Sequence, residues 1–199
     1  MTRYDPDKHH RRSIRLKGYD YTLPGAYFVT IVTHGRELLF DDAILHRVVE
    51  TFWQRIPGHT LHVELDEWVV MPNHLHGIII ITDPVVGATH SPLNPSMKRP
   101  SGPATGFQSE RDQHGNASPL QATGPPSGSL GAIIGNFKSV TTRRINRVRH
   151  SPGLRVWQRN YYERIIRNER ELNAIRQYIC DNPSHWADDE ENPARIKGT

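Results

Sequence analysis

Residues 68–77 read Trp-Val-Val-Met-Pro-Asn-His-Leu-His-Gly, and they lead directly into the apolar tract Ile78–Ile81. Apolar and β-branched residues dominate on both sides of the turn Met71-Pro72-Asn73. This composition predicts two strands, from Leu61 to Val70 and from His74 to Thr82, joined by that turn. The continuous isoleucine tract is typical of a central strand with both faces covered.

His74 and His76 lie two residues apart on the second of these strands. Side chains two apart on a strand point to the same sheet face, so both imidazoles are expected on one side. Neutral imidazoles at the entrance to a core suit a divalent cation. A His-x-His pair by itself is a weak signal, because buried histidines more often have a purely structural role.

The segments around this hairpin complete a pattern of alternating strands and helices. Tyr27–Thr33 predicts a buried strand, and Val156–Ile166 predicts another. Apolar residues at helical spacing predict one helix from Asp41 or Asp42 to Trp53 and a second from Leu130 to Val148. A last helix starts at Asn168, which has Glu171 three residues later as a capping box, and Pro183 ends it. The order β-α-β-β-α-β-α predicts an α+β, ferredoxin-like sandwich with an antiparallel sheet of four to five strands and helices on one face.

Composition divides the 199-residue chain into segments. Residues 1–20 form a basic N-terminal arm, and 21–187 form a single domain interrupted at 83–129 by a flexible insertion rich in Pro, Gly and Ser. Residues 188–199 form a polar tail that changes from acidic to basic. The lone Cys180 excludes an intrachain disulfide and a cysteine-based zinc site. No apolar run is long enough to span a bilayer, so the sequence predicts a soluble protein without a membrane partner, and the single cysteine fits a reducing cytoplasm.

Charge is distributed unevenly along the chain although the formal net charge is only +4. Between Lys138 and Arg167 there are nine basic residues and one acid, Glu163. The arm adds further basic residues, while acids gather from Asp188 to Glu191. A local basic excess indicates a polyanionic partner bound on one face. An ordinary solvated helix surface would show the same excess without a partner.

The stretch 68–77 resembles the signature of the single-tyrosine HUH transposases, in which U is a bulky apolar residue, here Leu75. It resembles in particular the REP-associated tyrosine transposases, named for repetitive extragenic palindromes. Further parts of the chain carry the same resemblance: Arg11–Leu16, Gly25–Thr30, Val156–Glu163, Ile165–Asn168, Tyr178-Ile179 and Asn182-Pro183.

The resemblance implies the HUH endonuclease form of the fold and a set of functional residues. Tyr178 is the expected nucleophile, and His74, His76 and Asn182 are the expected ligands of Mg²⁺ or Mn²⁺. Tyr178 and Asn182 share a helix face at spacing i, i+4, although Pro183 disfavours a helical Asn182. The expected DNA-binding residues are Lys138, Arg143, Arg144, Arg147, Arg159, Arg12 and Arg15.

The implied activity is transposition by a metal-dependent single-stranded DNA endonuclease and strand transferase. Tyr178 would form a 5′-phosphotyrosine intermediate beside hairpins formed by palindromic repeats. The implied partner is single-stranded DNA with hairpins, bound by a monomer or a homodimer. The implied location is the cytoplasm, in association with the nucleoid.

The sequence leaves two different functions open. The protein could be a domesticated, non-catalytic DNA-binding module that keeps the basic face. A metal hydrolase of small substrates needs carboxylates beside the histidines, and the sequence shows none next to them. Further residues that could take part are Tyr161 or Tyr162 as nucleophile or base-stacking group, His62 or His185 near the cation, Glu163 or Asp181 as ligand or base, and Trp157 and Trp186, which are expected in the core.

Overall fold

A computed structural model of the chain describes residues 18–83 and 124–196. Arg12 and Arg15, most of the predicted arm 1–20, most of the predicted insertion 83–129, and residues 197–199 lie outside the described residues. Residues 18–83 and 125–196 belong to one compact unit.

Four strands of the described residues form one antiparallel sheet. They are β1 (Gly25–Val32), β2 (Val63–Met71), β3 (His74–Ile81) and β4 (Tyr162–Ile166), in the spatial order β2-β3-β1-β4. β2 and β3 are joined by the two residues Pro72 and Asn73, within the predicted turn Met71-Pro72-Asn73, of which Met71 belongs to β2. The α+β class, the antiparallel sheet and the ferredoxin-like order are confirmed.

Five α-helices accompany the sheet in the part of the chain that the structure describes: α1 (Ala43–Gln54), α2 (Ile56–His59), α3 (Leu130–Val148), α4 (Glu169–Asp181) and α5 (Pro193–Ile196). Side chains cap the three long ones, because Asp42, Ser129 and Asn168 each accept a hydrogen bond from the first turn of the following helix. A 3-10 helix, Asn182–Asp188, continues directly from α4. None of the helices within 18–83 and 124–196 has both the length and the apolar character needed to cross a bilayer.

The two faces of the sheet are covered by different helices. α1 and α3 bury Trp53 and Phe137 against Tyr27 and Leu75, as the predicted arrangement with helices on one face requires. α4 departs from that arrangement, because it packs Ile175 and Ile179 on the opposite face, against residues that include Phe28, Ile78 and Ile166. The reason lies in β3, whose isoleucine tract is apolar on both sides and needs cover on both. This second face also carries His74 and His76.

Gly77 marks the closest approach between the sheet and α1. A Cβ atom built on Gly77 would lie 2.4 Å from Cζ2 of Trp53, which is itself fully buried. Any side chain at this position would therefore displace the indole. The glycine that follows the second histidine allows β3 to pack directly against Trp53.

β4 is shorter than the predicted strand Val156–Ile166, since it begins only at Tyr162. Trp157 forms an isolated bridge with Thr33, and the chain then leaves the sheet. The Lys138 ammonium donates to three consecutive carbonyls, those of Gln158 (2.8 Å), Arg159 (3.3 Å) and Asn160 (3.0 Å). Successive carbonyls of a strand point in opposite directions, so three of them cannot face one ammonium unless the strand is broken. The prediction of a continuous strand is wrong for this reason.

Replacing Lys138 with methionine is expected to lower the free energy of unfolding by about 2 kcal/mol, because hydrogen bonds from a partly buried charged group are lost. Urea denaturation monitored by circular dichroism measures this change. Arg144→Met, an exposed change on the same helix, is the matched control and should cost less than about 0.5 kcal/mol. Equal stability of the two variants would contradict this role for Lys138.

Candidate functional site

His74 and His76 converge on one point of the sheet face that α4 covers. Their Nε2 atoms lie 3.0 Å apart, and both side chains are almost completely buried. β3 directs them to the same side, as their spacing predicts, and side chains from outside the sheet, including those of Tyr178 and Trp186, pack over the pair. The two imidazole nitrogens are therefore positioned as a pair of donors.

Asn73 orients the ring of His74. Its side-chain amide donates to the carbonyls of Glu191 (2.7 Å) and Arg36 (3.3 Å), so its Oδ1 is the atom that faces Nδ1 of His74, at 2.8 Å. Nδ1 of His74 must then carry the proton and donate it to Asn73. The lone pair of the neutral imidazole is left on Nε2, which faces His76.

Thr30 supports the ring of His76 from the adjacent strand. The sheet register pairs Thr30 with His76, and the Thr30 hydroxyl lies 2.8 Å from Nδ1 of His76. When Nδ1 carries the proton, the hydroxyl accepts it and Nε2 is free to act as a donor atom. Such outer contacts set the tautomer and the orientation of metal-binding histidines in proteins.

Burial determines the charge of both rings. It lowers the pKa of His74 to about 4, an effect that the negative charge of Glu191 partly opposes. Burial, together with the neighbouring His74, lowers the pKa of His76 well below its usual range. Both imidazoles are consequently neutral near pH 7, which is the form that binds cations.

Tyr178 reaches this pair from α4. Its hydroxyl oxygen lies 3.3 Å from Nε2 of His76, and its ring packs edge-on against His76 and Phe28. Tyr178 remains 47% exposed and lines an open cavity. Burial and the charge of Asp189 raise the pKa of Tyr178, and the Asn182 side chain opposes them. The phenol is therefore protonated at neutral pH.

A charged pair holds α4 against the sheet beside Tyr178. Arg176 donates to both carboxylate oxygens of Asp66, at 2.9 Å and 2.6 Å. Asp66 lies where the pairing of β2 and β3 shifts register, between Leu65 and Trp68. This bidentate contact links the helix that carries the hydroxyl to the hairpin that carries the histidines.

Asn182 adopts helical backbone angles, φ −55° and ψ −41°, in spite of the following Pro183. Its side chain is only 5% exposed, and Oδ1 has no hydrogen-bond partner among the described residues. A buried carbonyl oxygen without a partner is costly, so this oxygen is suited to bind a cation. The predicted spacing thus places Asn182 beside Tyr178, with a donor atom available.

Asp189 enters the site from a region that the sequence assigns to the polar tail. Its Oδ2 lies 3.8 Å from Nε2 of His74, and its side chain is 7% exposed. Ligand atoms of His74, His76 and Asp189 all lie within 4.8 Å of one another, so this group is able to hold a metal ion. The expectation that no carboxylate stands beside the histidines is wrong, because the chain returns to them after α4.

An open cavity of about 1010 Å³ extends from this cluster towards β4. Its lining includes Tyr178, Tyr162 and three arginines, Arg159, Arg164 and Arg195. Of the predicted DNA-binding residues that the structure describes, Arg159 lines this cavity.

The rest of the predicted DNA-binding residues within the described ranges lie away from the cavity. Arg143, Arg144 and Arg147 are exposed on α3, which covers the sheet face opposite the histidines, and their contact with DNA stays a prediction. Lys138 is not available to phosphates, because its protons are directed to the three carbonyls of the 158–160 loop.

Two residues that the sequence suggests as further ligands or bases are separated from the histidines. Glu163 pairs with Val29, on the face away from the histidines, and His62 is exposed at the start of β2. Three more candidates, Tyr162, Asp181 and His185, are exposed.

The two tryptophans expected in the core have different environments. Trp157 is buried in the core, as the sequence predicts. Trp186 is only half-buried, and its ring lies 6.1 Å from that of His74. The second tryptophan therefore borders the histidine pair instead of filling the core.

Comparison with known sequences identifies a relative of nearly the same length. A protein of Haemophilus influenzae (strain Rd), described as uncharacterized, is 37% identical over 201 residues, which cover 95% of this chain and 97% of the relative. This chain belongs to the same family. No family model matches it.

Comparison with solved structures supports the fold. The structure of a REP-associated tyrosine transposase bound to a REP hairpin matches with a TM-score of 0.50 and 18% identity, over 84% of this chain and 72% of that one. This chain therefore shares the α+β fold of that transposase, with the antiparallel sheet described above.

Proposed function

We propose that this protein is a transposase that cuts and rejoins single-stranded DNA through Tyr178, with Mg²⁺ or Mn²⁺ held by His74, His76 and Asn182. The observation that carries the proposal is the position of the Tyr178 hydroxyl, 3.3 Å from Nε2 of His76, which is itself 3.0 Å from Nε2 of His74. A hydroxyl able to act as nucleophile is thus next to two buried nitrogens able to bind a cation.

The donor set fits a divalent cation. Two octahedral ligands in adjacent positions at about 2.1 Å from an ion are separated by about 3.0 Å, and the two Nε2 atoms show this separation. Each ring has its Nδ1 engaged by Asn73 or Thr30, which leaves Nε2 for the ion. The unpartnered Oδ1 of Asn182 adds an oxygen donor. When bound, such a cation supplies Lewis-acid stabilisation of the charge that develops on a phosphodiester.

The side chains then determine the chemistry of the cut. The Tyr178 oxygen attacks the scissile phosphorus and forms a P–O bond, while the bond from phosphorus to the 3′-oxygen of the upstream strand breaks. The phenolic proton passes to solvent, to which the half-exposed tyrosine is open. The leaving oxygen takes up a proton and becomes a 3′-hydroxyl, and the downstream strand stays on Tyr178 as a 5′-phosphotyrosine. Attack by another 3′-hydroxyl reverses these bonds and rejoins the strand.

The cavity beside Tyr178 supports single-stranded DNA as the substrate. Arg159 lines this cavity and supplies positive charge for a phosphate, whereas Arg164 is paired with Glu171 at 2.6 Å. The exposed ring of Tyr162 offers a surface on which an unpaired base stacks. The hairpin bound to the transposase of similar fold supports palindromic, hairpin-forming repeats as the targets of this chain.

The test uses single-stranded oligonucleotides taken from the palindromic repeats that flank the gene. With Mn²⁺, a 3′-labelled strand should transfer its label to the protein in an SDS-resistant adduct, while a 5′-labelled strand should give a shorter free product. EDTA should abolish both products. A 5′ label on the protein would contradict the proposed polarity. DNA binding without an adduct, and unaffected by EDTA, would instead support the non-catalytic DNA-binding module.

A further inference from the structure

Residues 186–192, here called the C-terminal strap, cross the face that holds His74. The Glu191 carboxylate pairs with Nε of Arg36 at 2.7 Å, and the Glu191 carbonyl accepts from the Asn73 amide at 2.7 Å. Asn192 closes the strap by donating to the Trp186 carbonyl at 2.8 Å. The strap is therefore attached to the same asparagine that orients His74.

These contacts leave one carboxylate oxygen of Asp189 facing the histidines. Oδ1 accepts a hydrogen bond from the Glu191 amide at 2.6 Å, and Oδ2 lies 3.8 Å from Nε2 of His74. Within 18–83 and 124–196, Asp189 forms no ion pair with a lysine or arginine, although its side chain is 7% exposed. A buried carboxylate is stable only with a compensating charge, so a cation beside it is the natural partner.

The geometry points to Asp189 as a further ligand of the cation held by His74, His76 and Asn182, delivered by the C-terminal strap. This inference rests on the proposed function, since it concerns the same cation. Two ligands of one ion at about 2.1 Å are at most about 4.2 Å apart, and the 3.8 Å between Oδ2 and Nε2 of His74 is within that limit. Asn182 lines the same cavity as His76 and Asp189, and its buried oxygen, which has no partner among the described residues, is independent evidence that a ligand belongs in this cavity.

The assignment has a structural consequence. Asp189 is held by the strap, and the strap is held by Asn73 and Arg36. Cation binding to Oδ2 and docking of the strap therefore reinforce each other by mutual stabilisation. The carboxylate also offsets one of the two positive charges of the ion, which neutral imidazoles and an amide cannot do.

Mn²⁺ binding to the full chain without DNA tests the inference, with free Mn²⁺ followed by electron paramagnetic resonance. Asp189→Asn keeps the Oδ1 acceptor for the Glu191 amide and removes only the charge; Asp189→Ala removes the donor entirely. We expect each to weaken Mn²⁺ binding at least about tenfold. Glu190→Gln, which removes a charge from the adjacent exposed residue, should change binding less than about twofold.

His76→Ala separates failure of this inference from failure of the proposed function. If His76→Ala loses Mn²⁺ binding while both Asp189 variants bind like the parent, Asp189 is not a ligand and the proposed cation site stands. If His76→Ala also binds Mn²⁺ like the parent, the proposed cation site itself is wrong.

Hydrogen exchange provides a second readout that does not depend on activity. In the parent protein, Mn²⁺ should slow exchange of the Glu191 amide, because the strap opens less often when Asp189 is bound. In Asp189→Asn, Mn²⁺ should leave that rate unchanged. Equal slowing in both proteins would overturn the coupling between the cation and the strap.

Discussion

Replacing Tyr178 with phenylalanine is expected to abolish covalent attachment of DNA, with a loss of about 10⁴-fold or more in the rate of adduct formation. The change removes only the hydroxyl oxygen that lies 3.3 Å from Nε2 of His76. The ring keeps its packing against Phe28 and His76, so the fold and the cation donors are retained. DNA and Mn²⁺ binding should therefore stay within about threefold of the parent.

The measurement is the rate at which a 3′-labelled single strand becomes attached to the protein in SDS gels, with the modified peptide identified by mass spectrometry. Tyr162→Phe is the matched control, because Tyr162 lines the same cavity and is also exposed but lies on the sheet edge. It should form the adduct at nearly the parent rate. An adduct on Tyr178→Phe, or its loss in Tyr162→Phe alone, would assign the nucleophile to another residue.

Gly77→Ala is expected to lower the free energy of unfolding by about 3 kcal/mol, near the upper end of the cost of overpacking. The new methyl group would lie 2.4 Å from Cζ2 of Trp53, and the fully buried indole has no open side into which to move. For a domain of this size the melting temperature should fall by about 6–12 °C. Calorimetry or thermal denaturation monitored by circular dichroism measures it.

Gly135→Ala is the control, because it is expected to raise the free energy of unfolding, whereas Gly77→Ala lowers it. Gly135 lies within α3, and a Cβ there meets nothing within 4 Å, so Gly135→Ala should stabilise the protein by about 1 kcal/mol. A second change tests the cause directly. In a protein that already carries Gly77→Ala, Trp53→Phe should lower the free energy of unfolding by at least about 1 kcal/mol less than it does in the parent protein. Additive costs would show that the contact with Trp53 is not the reason for the loss.

Much of the fold could be predicted from local patterns. The hairpin around Pro72-Asn73, the helix caps at Asp42 and Asn168, and the alternation of strands and helices all depend on neighbouring residues, and each appears in the structure. The early end of the strand before Tyr162 could not be predicted. It depends on an ammonium twenty residues away in the chain, which becomes visible only when α3 and the 158–160 loop are packed together.

In the candidate site, too, local patterns predict some residues and not others. The pair His74 and His76 and the relation of Tyr178 to Asn182 follow from strand and helix periodicity, since both periods are local properties of the chain. Three supporting residues could not be found in this way. The contact of Thr30 with His76 depends on the register of β1 and β3. The approach of Asp189 to His74 depends on the return of the chain after α4. The orientation of the Asn73 amide depends on the carbonyls of Arg36 and Glu191.

The sequence alone therefore determined the hairpin of residues 68–77 and the direction in which its two histidines point, because side-chain alternation on a strand needs no distant contact. Tertiary structure decided what faces those histidines. α4 brings Tyr178 to within 3.3 Å of His76, and the strap brings Asp189 to within 3.8 Å of His74. These are contacts between segments more than one hundred residues apart. α4 packs there because the second face of an apolar central strand must also be covered.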